Sequence, residues 1–296
     1  MSEGKTTGKL EKSDRLIRLG LLMIALSAVS ILAIITLFIF EQGLPVMFKY
    51  GFRHFLLGQD WYPSEKSFGL LPMIIGSLMV TIGALIIGVP LGLASAIFLT
   101  EFSSRRLARF LKPVIELLAG IPSVVYGFIG LMFLVPFIRE RFGGPGLSVL
   151  AASVILGIMI LPTVISITID SIRAVPDSYR EGSIALGATK WQTVKMVVLP
   201  AARSGIIAAI ILGMGRAIGE TMAVIMVAGN AADIPGSLLA PVRTLTSNIA
   251  LEMAYAGGEH REALFATGVV LFVIIMILNT IANITSSRQG KKGSGR

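Results

Sequence analysis

The stretch "REGSIALGATKWQTVKMVVLP", residues 180–200, decides how this chain is read. Arg180–Leu186 is built of helix-compatible residues and ends at Gly187. Glycine is a natural helix stop because it takes the left-handed conformation that closes a helix without a steric penalty. Ile184, Ala185 and Leu186 offer apolar surface, and Arg180 and Glu181 offer polar surface. A short amphipathic helix of this kind either lies on a bilayer or docks on a partner. Long apolar runs flank it, Leu147–Ile169 before and Ser204–Val227 after. It therefore reads as a surface element between two buried ones.

Working outward, the composition is that of a membrane protein. Of 296 residues, 54% are hydrophobic and 15% charged, against about 25% charged in an ordinary soluble domain. A helix crossing hydrocarbon needs roughly 20 mostly apolar residues. Six segments qualify: Leu19–Phe40, Leu71–Phe98, Pro113–Phe137, Leu147–Ile169, Ser204–Val227 and Ala263–Ile284. The first exceeds the apolar core of about 7–15 residues found in signal peptides and reads as a retained anchor. Lysine and arginine gather on the cytoplasmic side of a membrane. Most of the 26 here fall in four places. These are the N-terminal tail, the connection carrying Arg105, Arg106, Arg109 and Lys112, the connection carrying residues 180–200, and the C-terminal tail. Both termini are therefore expected on the cytoplasmic side. The net charge of +9 then reflects topology, not nucleic-acid binding.

There are no cysteines, which excludes disulfides and thiolate chemistry. His54 and His260 lie far apart in polar stretches and read as solvated loop residues, so no metal site is expected. Near the N-terminus, "GKTTGKL" (4–10) has the flavour of a phosphate-binding loop but not its spacing. The chain is not expected to bind ATP. Two external segments, about 41–67 and 230–262, read either as plain loops or as a cap and partner-binding surface. Residues 1–14 and 285–296 have the composition of disordered tails.

Glycine and proline interrupt several spans, most visibly in "AGIPSVVYGFIG", residues 119–130. Proline removes a backbone hydrogen bond and kinks a helix. A break at Gly120-Ile121-Pro122-Ser123 would expose N–H groups of the following half-helix, with Ser123 as a candidate cap. The alternative is a kink that only fits neighbouring helices.

Glu181, Gly182 and Ser183, then Gly187, nine residues, and Val197, Val198, Leu199 and Pro200 together resemble a cytoplasmic motif of binding-protein-dependent ABC importer permeases. That motif has the form E-A-A-x-x-x-G, nine residues, then I-x-L-P. Gly182 and Ser183 replace its alanines, and Val197 its isoleucine. Residues 70–284 further resemble the PstC-type permeases of phosphate importers, through "ELLAGIPSVVYG" (116–127), "GRAIGETMAV" (215–224) and "VRTLTSNIALEMAYA" (242–256). The resemblance implies an all-α fold of the type I ABC importer (MetI-like) permease class with six spans. It implies an anchor region over 15–67, a permease domain over 68–284 and a coupling loop over 176–200 that seats in an ATPase groove. The implied partners are a PstA-type sister permease, a PstB-type ATPase dimer that carries ATP and Mg, and a PstS-type phosphate-binding protein. Permeases for phosphonate, molybdate or sulfate are the alternative, and a secondary transporter a more distant one.

Arg216 and Glu220 stand in the fifth span. Arg216 lies roughly 18 Å along it, at about 1.5 Å per residue, close to mid-membrane. Four residues apart, the two are expected on one helix face. A charge there costs about 2.5–3.5 kcal/mol or more, so both should face the protein interior. Three readings stand open: a structural ion pair, a substrate contact by Arg216 with Glu220 assisting, and a gate that exchanges partners with the sister subunit. Gly215 and Gly219 form a small-x-x-x-small pair that would admit another helix at close range.

Overall fold

The structure, a computed structural model, describes residues 4–293. In chain order, α1 (Gly4–Tyr50) and the short α2 (Phe52–Leu57) lead to a two-stranded antiparallel hairpin. Its strands are β1 (Trp61–Tyr62) and β2 (Ser67–Phe68), with Trp61 opposite Phe68. Then come α3 (Leu71–Ile97), α4 (Arg105–Ala119), α5 (Ser123–Ile129), α6 (Val135–Phe142) and α7 (Val149–Arg173). A connection of α8 (Asp177–Ala185), α9 (Lys190–Thr193) and α10 (Leu199–Ala201) follows. The chain closes with α11 (Arg203–Gly219), α12 (Met222–Val227), α13 (Leu245–Glu252) and α14 (Glu259–Gly293).

Among the described residues, five helical runs are long and apolar enough to cross a membrane: Ile17–Tyr50, Leu71–Phe102, Ser123–Phe142, Val149–Arg173 and Glu259–Ile281. The pair Lys190–Ala201 and Arg203–Gly219, bent by 70°, makes up to six. Two expected spans change. The third begins at Ser123, not Pro113, because Pro122 and Gly120 end the preceding helix. The fifth is divided at Glu220. The terminal helices also reach into segments whose composition predicts disorder, starting at Gly4 and ending at Gly293. Once a helix is nucleated, each added residue gains a hydrogen bond, so a long apolar helix carries its flanks with it.

α7 is the hub. Ile155, Leu156, Met159, Ile160 and Val164 are buried on it. They pack with Val80 and Ala84 of α3, Tyr126 of α5, and Ala217, Val224 and Val227 of the fifth span. Close approach of α3 needs small residues. A Cβ at Gly88 would lie 2.7 Å from the Gly157 carbonyl oxygen and 2.6 Å from Ile160 Cγ1. In lipid, where apolar burial drives little between helices, such van der Waals fit is the main attraction. A second core joins α1, α3, α13, α14 and the hairpin through Val46, Trp61, Phe68, Met73, Leu245 and Leu264. Over much of α1 the apolar side chains stay exposed, with Ile24 67%, Leu32 64% and Leu37 69% accessible. These face lipid.

Candidate functional site

α11 stops at Gly219, and Glu220 is extended, with φ −71° and ψ 131°. The next helix starts at Met222. The shared helix face expected for Arg216 and Glu220 is therefore lost, and with it the structural ion pair, one of the three readings, because both required one continuous helix. No ion pair joins the two among the described residues. A break inside a bilayer must satisfy the backbone groups it frees, and Glu220 does so. Its Oε1 accepts from the Ala223 N–H at 3.2 Å, capping α12. Its carbonyl oxygen accepts from Thr246 Oγ1 at 3.0 Å. Arg216 is half-buried and has no hydrogen-bond or ion-pair partner among the described residues. Its charge reaches the Tyr126 hydroxyl electrostatically.

Tyr126 belongs to a second broken span. Pro122, extended at φ −58° and ψ 140°, occupies the cap position of α5. Ser123 is thus the first helical residue, not the cap the sequence suggested, and its side chain makes no capping bond. Across the break, Tyr126 Oη donates to the Leu118 carbonyl at 2.9 Å. The two broken spans meet at Gly127, where a Cβ would lie 2.9 Å from Ala223 Cα and 2.8 Å from Met226 Sδ. Among the described residues, nothing beyond the chain neighbours and the helix's own backbone lies within 4 Å of a would-be Cβ at Gly215 or Gly219. Close contact with α7 runs through Gly213 instead, where a Cβ would lie 3.1 Å from Val164 Cγ2. The face bearing Gly215 and Gly219 is left open.

In the connection after α7, the glycine stop is as expected. Gly187 has φ +86°. The Ala188 N–H bonds to the Ser183 carbonyl at 3.2 Å and the Gly187 N–H to the Ile184 carbonyl at 2.9 Å, closing the end of α8 in a Schellman turn. Glu181 and Gly182 are exposed, and nothing lies within 4 Å of a Cβ at Gly182. Ser183 Oγ lies 3.0 Å from Thr193 Oγ1, tying α8 to α9. Leu199 packs on the cluster of Ile172, Val175, Val198 and Ala202. Pro200 is exposed in α10, directly after a π-helical turn over Val194–Val198. Such turns accompany kinks near proline. Tyr179 (53%), Ile184 (57%), Leu186 (91%) and Trp191 (55%) leave an apolar surface uncovered.

The model of the family described as binding-protein-dependent transport system inner membrane component matches residues 88–291. The chain belongs to this family. It is a multi-pass inner-membrane permease of the ABC importer class. It is 44% identical over 277 residues to the probable ABC transporter permease protein YqgH of Bacillus subtilis, covering 91% of this chain and 88% of that one. It is 39% identical over 265 residues to the phosphate transport system permease protein PstC of Mesorhizobium japonicum, covering 82% and 81%. Among solved structures, a bacterial alginate ABC transporter matches with a TM-score of 0.63 at 18% identity, covering 90% of this chain and 94% of that one. The inward-facing MetNI methionine ABC transporter matches at 0.58 and 19%, covering 74% and 94%.

Two polar clusters of the permease went unrecognised in its sequence. At the end carrying α8, Arg180 pairs with Glu101, just beyond α3, at 2.9 Å. Arg180 also donates to the Ile172 and Val175 carbonyls. α8 is thus pinned to the turn that follows α3 and to the end of α7. At the opposite end, Glu252 accepts from Trp61 Nε1 at 2.9 Å and from Arg243 at 2.6 Å. His260 Nε2 lies 2.8 Å from the same carboxylate, so His260 is a partnered residue and not the solvated one expected. Each cluster joins residues far apart in the chain, and no local spacing marks them. The available signal was an acidic residue inside an otherwise apolar or hydroxylated helix end.

Proposed function

We propose that this permease is one half of the translocation path of an ATP-driven importer of inorganic phosphate, working by alternating access. The observation that carries the reading is Arg216, a guanidinium at mid-span depth with no hydrogen-bond or ion-pair partner among the described residues, beside the seam of two broken spans. An unpaired charge at that depth is costly. Its planar donor fork suits the oxygens of a phosphate. The likeness to PstC proteins supports phosphate as the substrate. Glu220 and Ser123 line the same seam and complete the path, with Pro122 as the hinge of the third span. Glu220 caps α12 and holds the break open beside Arg216. A second reading has the sister permease bring a carboxylate to Arg216, and the open Gly215–Gly219 face favours such a close approach.

Both termini and α8 then lie on the cytoplasmic side. The exposed apolar surface around Leu186, with Glu181, Gly182, Ser183 and Gly187, docks on a separate ATPase dimer that binds ATP and Mg. Exposed apolar patches of this kind mark interaction sites. Leu199 and Pro200 transmit the movement into α11. A PstA-type sister permease completes the path, and a PstS-type binding protein delivers phosphate from outside.

The test is uptake of labelled phosphate, sulfate and molybdate by cells that assemble the complex. Arg216→Gln is expected to lower phosphate uptake about 10–100-fold, the effect of losing one or two charged hydrogen bonds. Uptake at the wild-type rate by an assembled Arg216→Gln complex rejects the path role. Preference for sulfate or molybdate in the wild type rejects phosphate.

A further inference from the structure

A cavity of about 530 Å³ opens at the end of the bundle that carries α8, between the end of α3, the first turns of α4 and the last turn of α7. Four cations line it: Arg105, Arg109 and Lys112 from α4 and Arg173 from α7. Glu116 is the one carboxylate in the wall. Lys112 is shared at long range between Glu116 (3.8 Å) and Asp170 (3.7 Å). Arg105, Arg109 and Arg173 have no carboxylate within ion-pair distance among the described residues. The bias of basic residues towards one side of a membrane accounts for cations in these connections. It does not account for their convergence, from two separate helices, on one cavity. Arg105, Arg109 and Arg173 are exposed and lack a paired carboxylate, and an anion between them lowers their mutual repulsion.

The walls also state what kind of anion fits. The hydroxyls of the wall residues Thr100 and Ser103 donate to the Ala96 and Ser104 carbonyls, so the donors facing the cavity are the arginine forks and Lys112, a set matched to phosphate oxygens. The volume suits a small molecule or a headgroup. Leu107 and Phe110 of the same helix are 41% and 69% exposed, so apolar side chains continue from the rim towards lipid. We propose that this cavity binds a phosphate group, carried either by an anionic phospholipid of the adjacent leaflet or by free inorganic phosphate. Basic pockets between membrane helices on this side commonly take lipid phosphates. The wall residue Thr100 adjoins Glu101, which holds Arg180 of α8 at 2.9 Å. Occupancy therefore acts next to the contact that fixes the coupling segment. The inference uses the proposed orientation only to say which leaflet supplies the lipid. It does not depend on the transported substrate, so its failure leaves the transport reading standing.

The experiment uses the assembled complex in nanodiscs of phosphatidylcholine, with or without phosphatidylglycerol, and counts bound phosphatidylglycerol or inorganic phosphate by native mass spectrometry. The variant is Arg105→Gln/Arg109→Gln/Arg173→Gln. Arg106→Gln, on the same helix but outside the cavity wall, is the control. Phosphatidylglycerol retention is expected to fall at least about tenfold in the triple variant, the effect of one charged hydrogen bond, and to stay unchanged in the control. Loss of a bound inorganic phosphate with phosphatidylglycerol unchanged assigns the site to the free ion. Equal retention of both by wild type and triple variant overturns the proposal, as does an equal loss in the Arg106→Gln control. Should the triple variant fail to assemble, Arg173→Gln alone is read in the same way: a smaller loss supports the site and no loss rejects it.

Discussion

α7 and the fifth span cross the same bundle side by side and solve the same problem in opposite ways. α7 carries a proline in its interior, Pro162, and still runs unbroken from Val149 to Arg173. The fifth span has no proline between Arg203 and Val227, yet it divides at Glu220. Proline is therefore neither required for a break here nor enough to cause one. Pro162 is buried in a helix gripped by α3 along a run of glycines, and that packing holds both sides of the proline in line. At Glu220 the contrary holds. The carboxylate caps the next helix, the Thr246 hydroxyl meets the freed carbonyl, and Gly219 has open space around it. The helix opens where polar groups replace the bonds it loses. The rigid span serves as scaffold, and the divided one places an unpaired arginine beside a seam.

The comparison breaks most severely if the packed side tolerates bulk. Gly88→Leu puts a side chain against the Gly157 backbone and Ile160, neither of which can move without parting α3 from α7. Overpacking typically costs about 1–3 kcal/mol, and contact with backbone places this case at the upper end. The measurement is the thermal midpoint and yield of the assembled permease. Gly215→Ala, with no side chain of the described residues within 4 Å, is expected to cost the isolated chain no stability and to gain up to about 1 kcal/mol from helix propensity. Equal behaviour of the two variants would remove the distinction between the scaffold and the open face.

A middle-sized effect sharpens the role of Glu220. As a cap, it is needed for an oxygen acceptor and not for its charge. Glu220→Ala is expected to cost about 0.5–2 kcal/mol of stability, the usual loss of an N-cap. Glu220→Gln keeps an acceptor oxygen and should retain most of that stability. Phosphate uptake separates the roles. If Glu220→Gln transports like wild type, the carboxylate only holds the break open. If uptake falls while stability is retained, the charge itself acts in the path.

The fold class, the spans and the surface segment were legible because apolar length and glycine punctuation are local signals. Gly187 is a case in point: glycine after a helix-compatible run meant a helix end, and a Schellman turn stands there. The Pro122 break was legible too, though its details were not. Ser123 looked like a cap because of its residue type, but the fixed backbone of Pro122 takes the capping position. Arg216 and Glu220 stand out in the sequence as charges in an apolar run. Their expected shared helix face fails because four-residue spacing has meaning only if the helix continues. Whether it continues depends on Thr246, 26 residues further on. The Arg180–Glu101 and Arg243–Glu252 contacts were invisible for the same reason, since tertiary packing creates them.

The effect expected to be smallest on the stability of the bundle lies outside it, at Gly187, and it isolates conformation from contact. Among the described residues nothing stands within 4 Å of a Cβ there, so a methyl group would meet none of them. The backbone at φ +86° is nevertheless in the left-handed region, which disfavours residues with a side chain by roughly 1–2 kcal/mol. Gly187→Ala should therefore loosen the end of α8 without disturbing the bundle. ATPase activity stimulated by the phosphate-loaded binding protein is expected to drop several-fold, with the thermal midpoint of the permease nearly constant. Asparagine visits this conformation more readily than alanine, so Gly187→Asn should fall between alanine and wild type. Were Asn and Ala to behave alike, the strain account would fail, and the open space around Gly187 would have to be read as room for the ATPase surface itself.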